Sequence, residues 1–220
     1  MCFSATANFV GSGVLGAVGV VTLTKVKHRR ELLFASVPTL FAVHQFIEGF
    51  VWLGLDGTLS PAVTHNMAAA YMLFAQGLLP FLLPLSVLLF EPDLKSRRRM
   101  LPFVVVGGAT GLYVFWALAA YPTQAFIQEN SITYLNQGTN HPVMSIFYVF
   151  ATCGALLFSK VRAIVAFGAV NLLLLLVVSA VKEYAFTSVW CAYAAVASVM
   201  ILAYFWRSSS DRPFLYAQPS

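Results

Sequence analysis

Charged side chains are what this sequence has least of. Asp, Glu, Lys and Arg make up 10% of its 220 residues, while hydrophobic residues make up 60%; a soluble globular domain carries roughly 25% charged residues. A water-soluble core cannot use that much apolar side chain. The motifs of nucleotide and common hydrolytic chemistry are missing too. No GxxxxGK[ST], GxGxxG, CxxC, HExxH or GxSxG pattern stands in a supporting context, so ATP-driven and dinucleotide chemistry have no basis. The N-terminus lacks a basic stretch and an Ala-x-Ala-like cleavage site, and no apolar segment precedes Cys2; no removed signal peptide is expected. There is no linker, low-complexity tract or internal repeat, which leaves one membrane domain and its loops to carry any function.

What the sequence does contain is apolar runs. A membrane-crossing helix needs about 20 mostly apolar residues, because it rises about 1.5 Å per residue through a hydrocarbon layer about 30 Å thick. The pattern predicts an all-α, seven-transmembrane-helix bundle with spans over Asn8–Thr24, Leu32–Leu55, Asn66–Phe90, Leu101–Tyr121, Pro142–Phe158, Ala163–Val181 and Thr187–Trp206. Residues 1–206 form the membrane domain and 207–220 a short tail.

The net charge of +5 would point to nucleic acid if it were clustered on a soluble face, but the basic residues fall in short turns. Lys25, Lys27, Arg29 and Arg30 separate the first two runs; Lys95, Arg97, Arg98 and Arg99 separate the third and fourth; Lys160 and Arg162 separate the fifth and sixth. Arg207 and Arg212 lie in the tail. Of thirteen Lys and Arg residues, only Lys182 falls in an alternate loop. By the positive-inside rule the basic side is cytoplasmic, and an odd number of spans puts the N-terminus outside. The expectation is a multi-pass protein of the cell's inner (cytoplasmic) membrane, with the lipid bilayer as its surroundings and no nucleic-acid partner.

Small residues mark where helices approach closely. Gly107 and Gly111 form a GxxxG pair, and Ser12 with Gly16 and Gly13 with Ala17 repeat the spacing; packing within the chain is the favoured reading over dimerisation. Pro80 and Pro84 remove backbone donors and should kink the third span.

The few polar residues inside the runs gather toward the outer face. His44 and Gln45 lie about two-thirds of the way along the second span and Glu48 near its outer boundary, at about 1.5 Å per residue. His65 and Asn66 open the third span from that side, His141 opens the fifth, and Lys182 with Glu183 closes the sixth. Cys191 and Trp190 lie in the first turns of the seventh, and Cys2 and Ser4 precede the first. His28 sits among basic residues on the other side.

His44 and Glu48 are four apart and therefore share a helix face, with Cβ atoms about 5–6 Å apart. That spacing can place two ligands on one metal ion, although a carboxylate near the headgroups and a histidine bonded to a neighbouring helix would look the same. Zinc takes His nitrogen, Cys sulfur and carboxylate oxygen in tetrahedral sets. His44, His65, His141 and Glu48, with Cys2 as a further donor, make the candidate metal set. Copper is less favoured despite Met67, Met72 and Met144 at similar depth, and a bis-histidine haem is compatible with the same residues. Cys2 and Cys191 can alternatively pair as a disulfide, and Cys153 reads as a packing residue. Lys182 sits at a helix end, away from any mid-span counter-ion, which argues against a retinal site. The loop over 122–140 is the longest and is rich in Asn and Gln; it reads equally as a lid over the outer pocket and as a solvated connector.

The opening Met-Cys-Phe-Ser-Ala-Thr-Ala, the Gly-rich first span, the basic turn, Glu31-Leu32-Leu33-Phe34-Ala35 and His44-Gln45-Phe46-Ile47-Glu48-Gly49 together resemble an uncharacterised bacterial family of small multi-span membrane proteins. The resemblance covers most of the chain and implies membrane architecture without an activity. A looser architectural similarity is to the seven-helix, zinc-dependent lipid amidases related to alkaline ceramidase, whose His and Asp motifs this sequence lacks.

Two functions are therefore expected, the first as the leading reading and the second as its rival. One is a zinc-dependent hydrolase of a lipid or other membrane-accessible substrate, with zinc on the three histidines, Glu48 as ligand or general base and Ser4 polarising the substrate. The other is a small-solute or proton-coupled transporter or sensor in which His44, Glu48 and Gln76 line a path. The inner halves of the spans carry little polarity beyond Ser86 and Asn171, which favours a dead-end pocket.

Overall fold

The computed structural model describes residues 4–128, 131–181 and 186–207, with side chains described throughout except over 177–195. Cys2, Lys182, Glu183 and residues 208–220 lie outside the described residues, as do the side chains of Trp190 and Cys191.

Each of the seven apolar runs is helical. Helix α1 (Ala5–Thr24) starts where the extended residue Ser4 accepts the Ala7 N–H at 3.2 Å, satisfying one of the orphan donors of a first turn. The second run is interrupted. A short turn over Arg29–Glu31 leads into α2 (Leu32–Ala35), and α3 (Val37–Leu55) restarts after Ser36, because Pro38 has no N–H to donate to the Phe34 carbonyl and continue the ladder.

The kink expected at Pro80 takes the form of a widened turn. Helix α4 (Pro61–Met72) passes through a six-residue π-type segment, Leu73–Leu78, into α5 (Leu79–Phe90). Pro80 cannot donate to the carbonyl of Gln76 and its ring would press on it; the wider turn relieves both problems. Helix α6 (Leu94–Ala120) begins seven residues before the apolar run suggested, because Asp93 caps it by accepting the Lys95 and Ser96 N–H groups. Helices α7 (Pro142–Leu157), α8 (Arg162–Val181) and α9 (Phe186–Arg207) complete the set.

Four helical stretches, Ala5–Thr24, Arg29–Leu55, Pro61–Phe90 and Leu94–Ala120, are long and apolar enough to cross a membrane. Three more apolar helices are shorter over the residues whose side chains are described: Pro142–Leu157, Arg162–Leu176 and Val196–Arg207. The outward face of α6 presents Val105, Leu112 and Phe115, each more than 60% exposed. A water-soluble monomer rarely shows so continuous an apolar surface, and a bilayer accepts it.

Helices α1 and α3 run antiparallel in close contact. Gly19 lies against Thr39, Gly16 against Ala42 and Gly49 against the ring of Phe9, while Ser12 Oγ donates to the Ala42 carbonyl at 2.8 Å. The Ser12 and Gly16 pair thus packs on α3, whereas Gly13 meets nothing within 4 Å. The GxxxG pair of α6 works within the chain, as expected. A Cβ on Gly107 would collide with the Pro80 carbonyl, and one on Gly111 would come within 2.6 Å of the Gly77 carbonyl.

The 122–140 loop is an ordered antiparallel hairpin, β1 (Gln124–Gln128) and β2 (Ser131–Leu135), with Gln124 opposite Leu135 and Gln128 opposite Ser131. Its asparagines hold it in shape: Asn136 Nδ2 donates to the Tyr121 carbonyl at 3.0 Å and to Thr123 Oγ1 at 3.2 Å, and its Oδ1 accepts the Gly138 N–H at 2.9 Å. One hydrophobic core joins α2, α5, α8 and α9 around Phe34, Phe90, Phe167 and Phe205. A second, at the far end of α3, combines Val51, Trp52, Ala68, Tyr71 and Met72 with Ile132 and Tyr134 of the hairpin.

Candidate functional site

On α3 the buried residues Phe41, His44, Gln45, Glu48 and Trp52 recur at spacings of three and four, which places them on one face of the helix. That face would be ordinary core if it were apolar. Instead little more than one turn of it carries an imidazole, a carboxamide and a carboxyl group. His44 is 1% exposed, and Gln45 and Glu48 are at 0%. The α1/α3 register brings Asn8, also fully buried, to the same level, since its neighbour Phe9 meets Gly49. Asn8 donates Nδ2 to the Ser4 carbonyl at 3.2 Å.

Among the described residues several atoms of this cluster have no hydrogen-bond partner: Asn8 Oδ1, His44 Nε2, Trp52 Nε1 and both polar atoms of Gln45. Leaving a buried polar group unsatisfied costs about 1–3 kcal/mol, so the cluster carries a stability cost that an apolar face would avoid. Native buried polar atoms are usually paired with protein or ordered water.

Four rings cover this region in a column. His44 stacks on Tyr71 with centroids 4.1 Å apart and on Phe74 at 5.1 Å, and Tyr71 in turn stacks on Tyr134 of β2 at 4.5 Å. Phe74 lies in the π-type segment, which re-aims the side chains that follow Tyr71. The Tyr71 backbone also hydrogen-bonds the His44 ring. The hairpin is thereby seated over the C-terminal end of α3 and the adjoining part of α4.

The other expected donors are elsewhere. His65 is exposed, and its Nδ1 donates to the Thr123 carbonyl at 3.1 Å, tying α4 to the base of β1. That bond leaves Nε2 as the acceptor nitrogen. His141 is exposed at the start of α7. Ser4 is exposed, and its hydroxyl serves as the α1 cap. Cys2 lies outside the described residues. Among the described residues no three His, Cys, Asp or Glu side chains are grouped closely enough to hold a metal ion. His44 and Glu48 share a buried face; His65, His141 and Ser4 do not join them. Asn8, Trp52 and Tyr71 belong to the site although the sequence did not single them out. The available signal was Asn8, a carboxamide in an otherwise apolar first span.

Several helices long and apolar enough to cross a membrane, with a buried polar cluster under a β-hairpin, are consistent with the class of α-helical membrane proteins. Within that class it belongs to a family of unknown function, DUF6629, whose model matches residues 1–215. No curated protein and no solved structure matches it.

Proposed function

We propose that this chain is a seven-span membrane protein with its N-terminus outside, whose outer polar cluster binds a small polar or cationic solute beneath the hairpin, as a transporter or sensor rather than a hydrolase. The observation that carries this reading is the set of polar atoms on Asn8, His44 and Gln45 that have no partner among the described residues at essentially zero exposure. Several such groups in one place are tolerable in a folded protein when a ligand or bound water completes them. The acid of Glu48 on the same face suits a cation or a hydrogen-bond donor. The groups a hydrolase would add, Ser4 and the second and third histidines, are exposed and engaged elsewhere or apart.

A second reading has one observation in its favour. His44 and Glu48 stand one turn apart on a buried face, the spacing that suits two ligands of one zinc ion.

Thermal stability of the purified protein, measured against small amines, small amides, zinc and copper, separates the two. Solute-dependent stabilisation that disappears in Gln45→Leu and Glu48→Gln supports the solute site. Stoichiometric zinc lost in both His44→Ala and Glu48→Ala supports the metal site and overturns the first reading. Orientation has its own test: an impermeant thiol reagent should label a cysteine introduced at Asp56 and miss one at Arg98.

A further inference from the structure

At the opposite end of the bundle a groove of about 490 Å³ opens between α2, α8 and α9. Its floor is aromatic and aliphatic: Phe34, Ile164, Phe167 and Ile201 are all buried, and Phe34 meets Phe167 edge to face at 6.1 Å. Its walls are kept low by Ala163, Ala166 and Ala203, which are exposed. Arg207 at the C-terminal end of α9 lines it as well. The polar cluster on α3 begins seven residues, about 10 Å, beyond the start of that helix, so the groove is a separate feature.

The groove combines two properties that together select an occupant. Its lining is almost wholly apolar, which disfavours water and fits a hydrocarbon chain. Its mouth is cationic. Arg207 is exposed and has no ion pair among the described residues. Lys25, at the end of α1, lies 4.4 Å above the ring of Trp206, next to Arg207 in the chain. Arg162 precedes the lining residue Ala163 and is exposed. Basic pockets between helices at a membrane face recognise anionic headgroups, and an exposed Trp at such an end suits the headgroup level.

We propose that this groove holds an acyl chain of one anionic phospholipid, with the headgroup phosphate on Arg207 and within reach of Lys25 and Arg162. The site is independent of the solute or metal reading of the outer cluster. The charge complementarity identifies the headgroup class, and the apolar floor identifies the tail.

The test uses the full chain in nanodiscs of phosphatidylcholine with added phosphatidylglycerol, followed by gentle detergent extraction and native mass spectrometry. The wild type should retain about one phosphatidylglycerol per chain in preference to phosphatidylcholine. Arg207→Gln should weaken that preference about fivefold, the loss expected for one cation near the membrane surface. Ala166→Trp, which fills the groove, should abolish retention, whereas Leu176→Trp, at an exposed position about 15 Å further along the same helix, should leave it intact. Equal retention of the two lipids by the wild type, or unchanged retention in both Arg207→Gln and Ala166→Trp, would overturn the proposal, because it would mean unspecific lipid around the bundle.

Discussion

The imidazole of His44 lies flat against the ring of Tyr71, with centroids 4.1 Å apart and planes 13° from parallel. A histidine in that position is held by its faces, which leaves its ring edge and Nε2 to meet whatever enters the cluster. Shape and chemistry can therefore be separated by substitution. His44→Phe preserves a stacked ring and should keep the melting temperature within a few degrees of wild type while removing the polar edge. His44→Ala opens a cavity beneath Tyr71 and should lower stability by about 2–4 kcal/mol, the range for deleting a large buried side chain. Thermal unfolding in detergent distinguishes the two, and comparable losses for both would mean that the polar edge, not the stack, holds this part of the fold.

Gln45 provides a test with the opposite sign. Its amide nitrogen and oxygen are buried without partners among the described residues, so replacing it with Leu removes an uncompensated desolvation of about 1–3 kcal/mol. Gln45→Leu should raise the melting temperature of the ligand-free protein and abolish stabilisation by the solute. A drop in ligand-free stability would show that Gln45 is satisfied in the folded protein and that the cluster is structural.

The backbone contact between α6 and α5 should be intolerant of a single methyl group. Gly107→Ala sets a Cβ against the Pro80 carbonyl, a rigid neighbour, and overpacking of this kind costs about 1–3 kcal/mol. Gly13→Ala, whose Cβ would meet nothing within 4 Å, should change little. Yields of folded protein and melting temperatures of the two variants provide the comparison.

The ion pair at the basic end carries a pH signature. Asp93 lies outside the spans and bonds Lys160 at 2.6 Å and Ser96 Oγ at 3.0 Å. Lys160 first, and Ser96 second, hold its carboxyl well below the ordinary carboxylate value of 3.8. A depressed folded-state value means stability that is present above pH 3.8 and is lost as pH falls toward the folded value. Asp93→Asn keeps an N-cap of comparable quality and removes the charge. The variant should melt slightly lower at neutral pH and lose the part of the acid dependence that sets in below about pH 4. An acid-unfolding profile identical to wild type would show that the pair does not contribute.

The apolar runs were legible because about 20 consecutive residues leave little ambiguity, and all seven are helical. Their ends were less so. Ser4 and Asp93 are cap residues that start α1 and α6 before the hydrophobic pattern does. The hairpin was hidden in a loop judged by its asparagines and glutamines, although Ile132, Thr133 and Tyr134 are strong strand formers. The candidate site was legible in depth but not in direction. Chain position gives the level of His44, His65 and His141, whereas α4 starts at Pro61, four residues before His65, and turns that ring toward Thr123 instead of His44. Side-chain direction around a helix depends on neighbours that a single sequence does not display.

The seating of the hairpin also bears on how often the polar cluster on α3 is accessible. Lifting β2 away exposes Ile132, unstacks Tyr134 from Tyr71 and breaks the bond from His65 to Thr123. Those contacts are worth roughly 3–6 kcal/mol together, so this motion would leave about one molecule in 150 to one in 25,000 open at a time. On the proposed reading, solute exchange by that route would be a rare-event process paced by the latch formed by Tyr134 and Thr123, and weakening the latch would speed both loading and release.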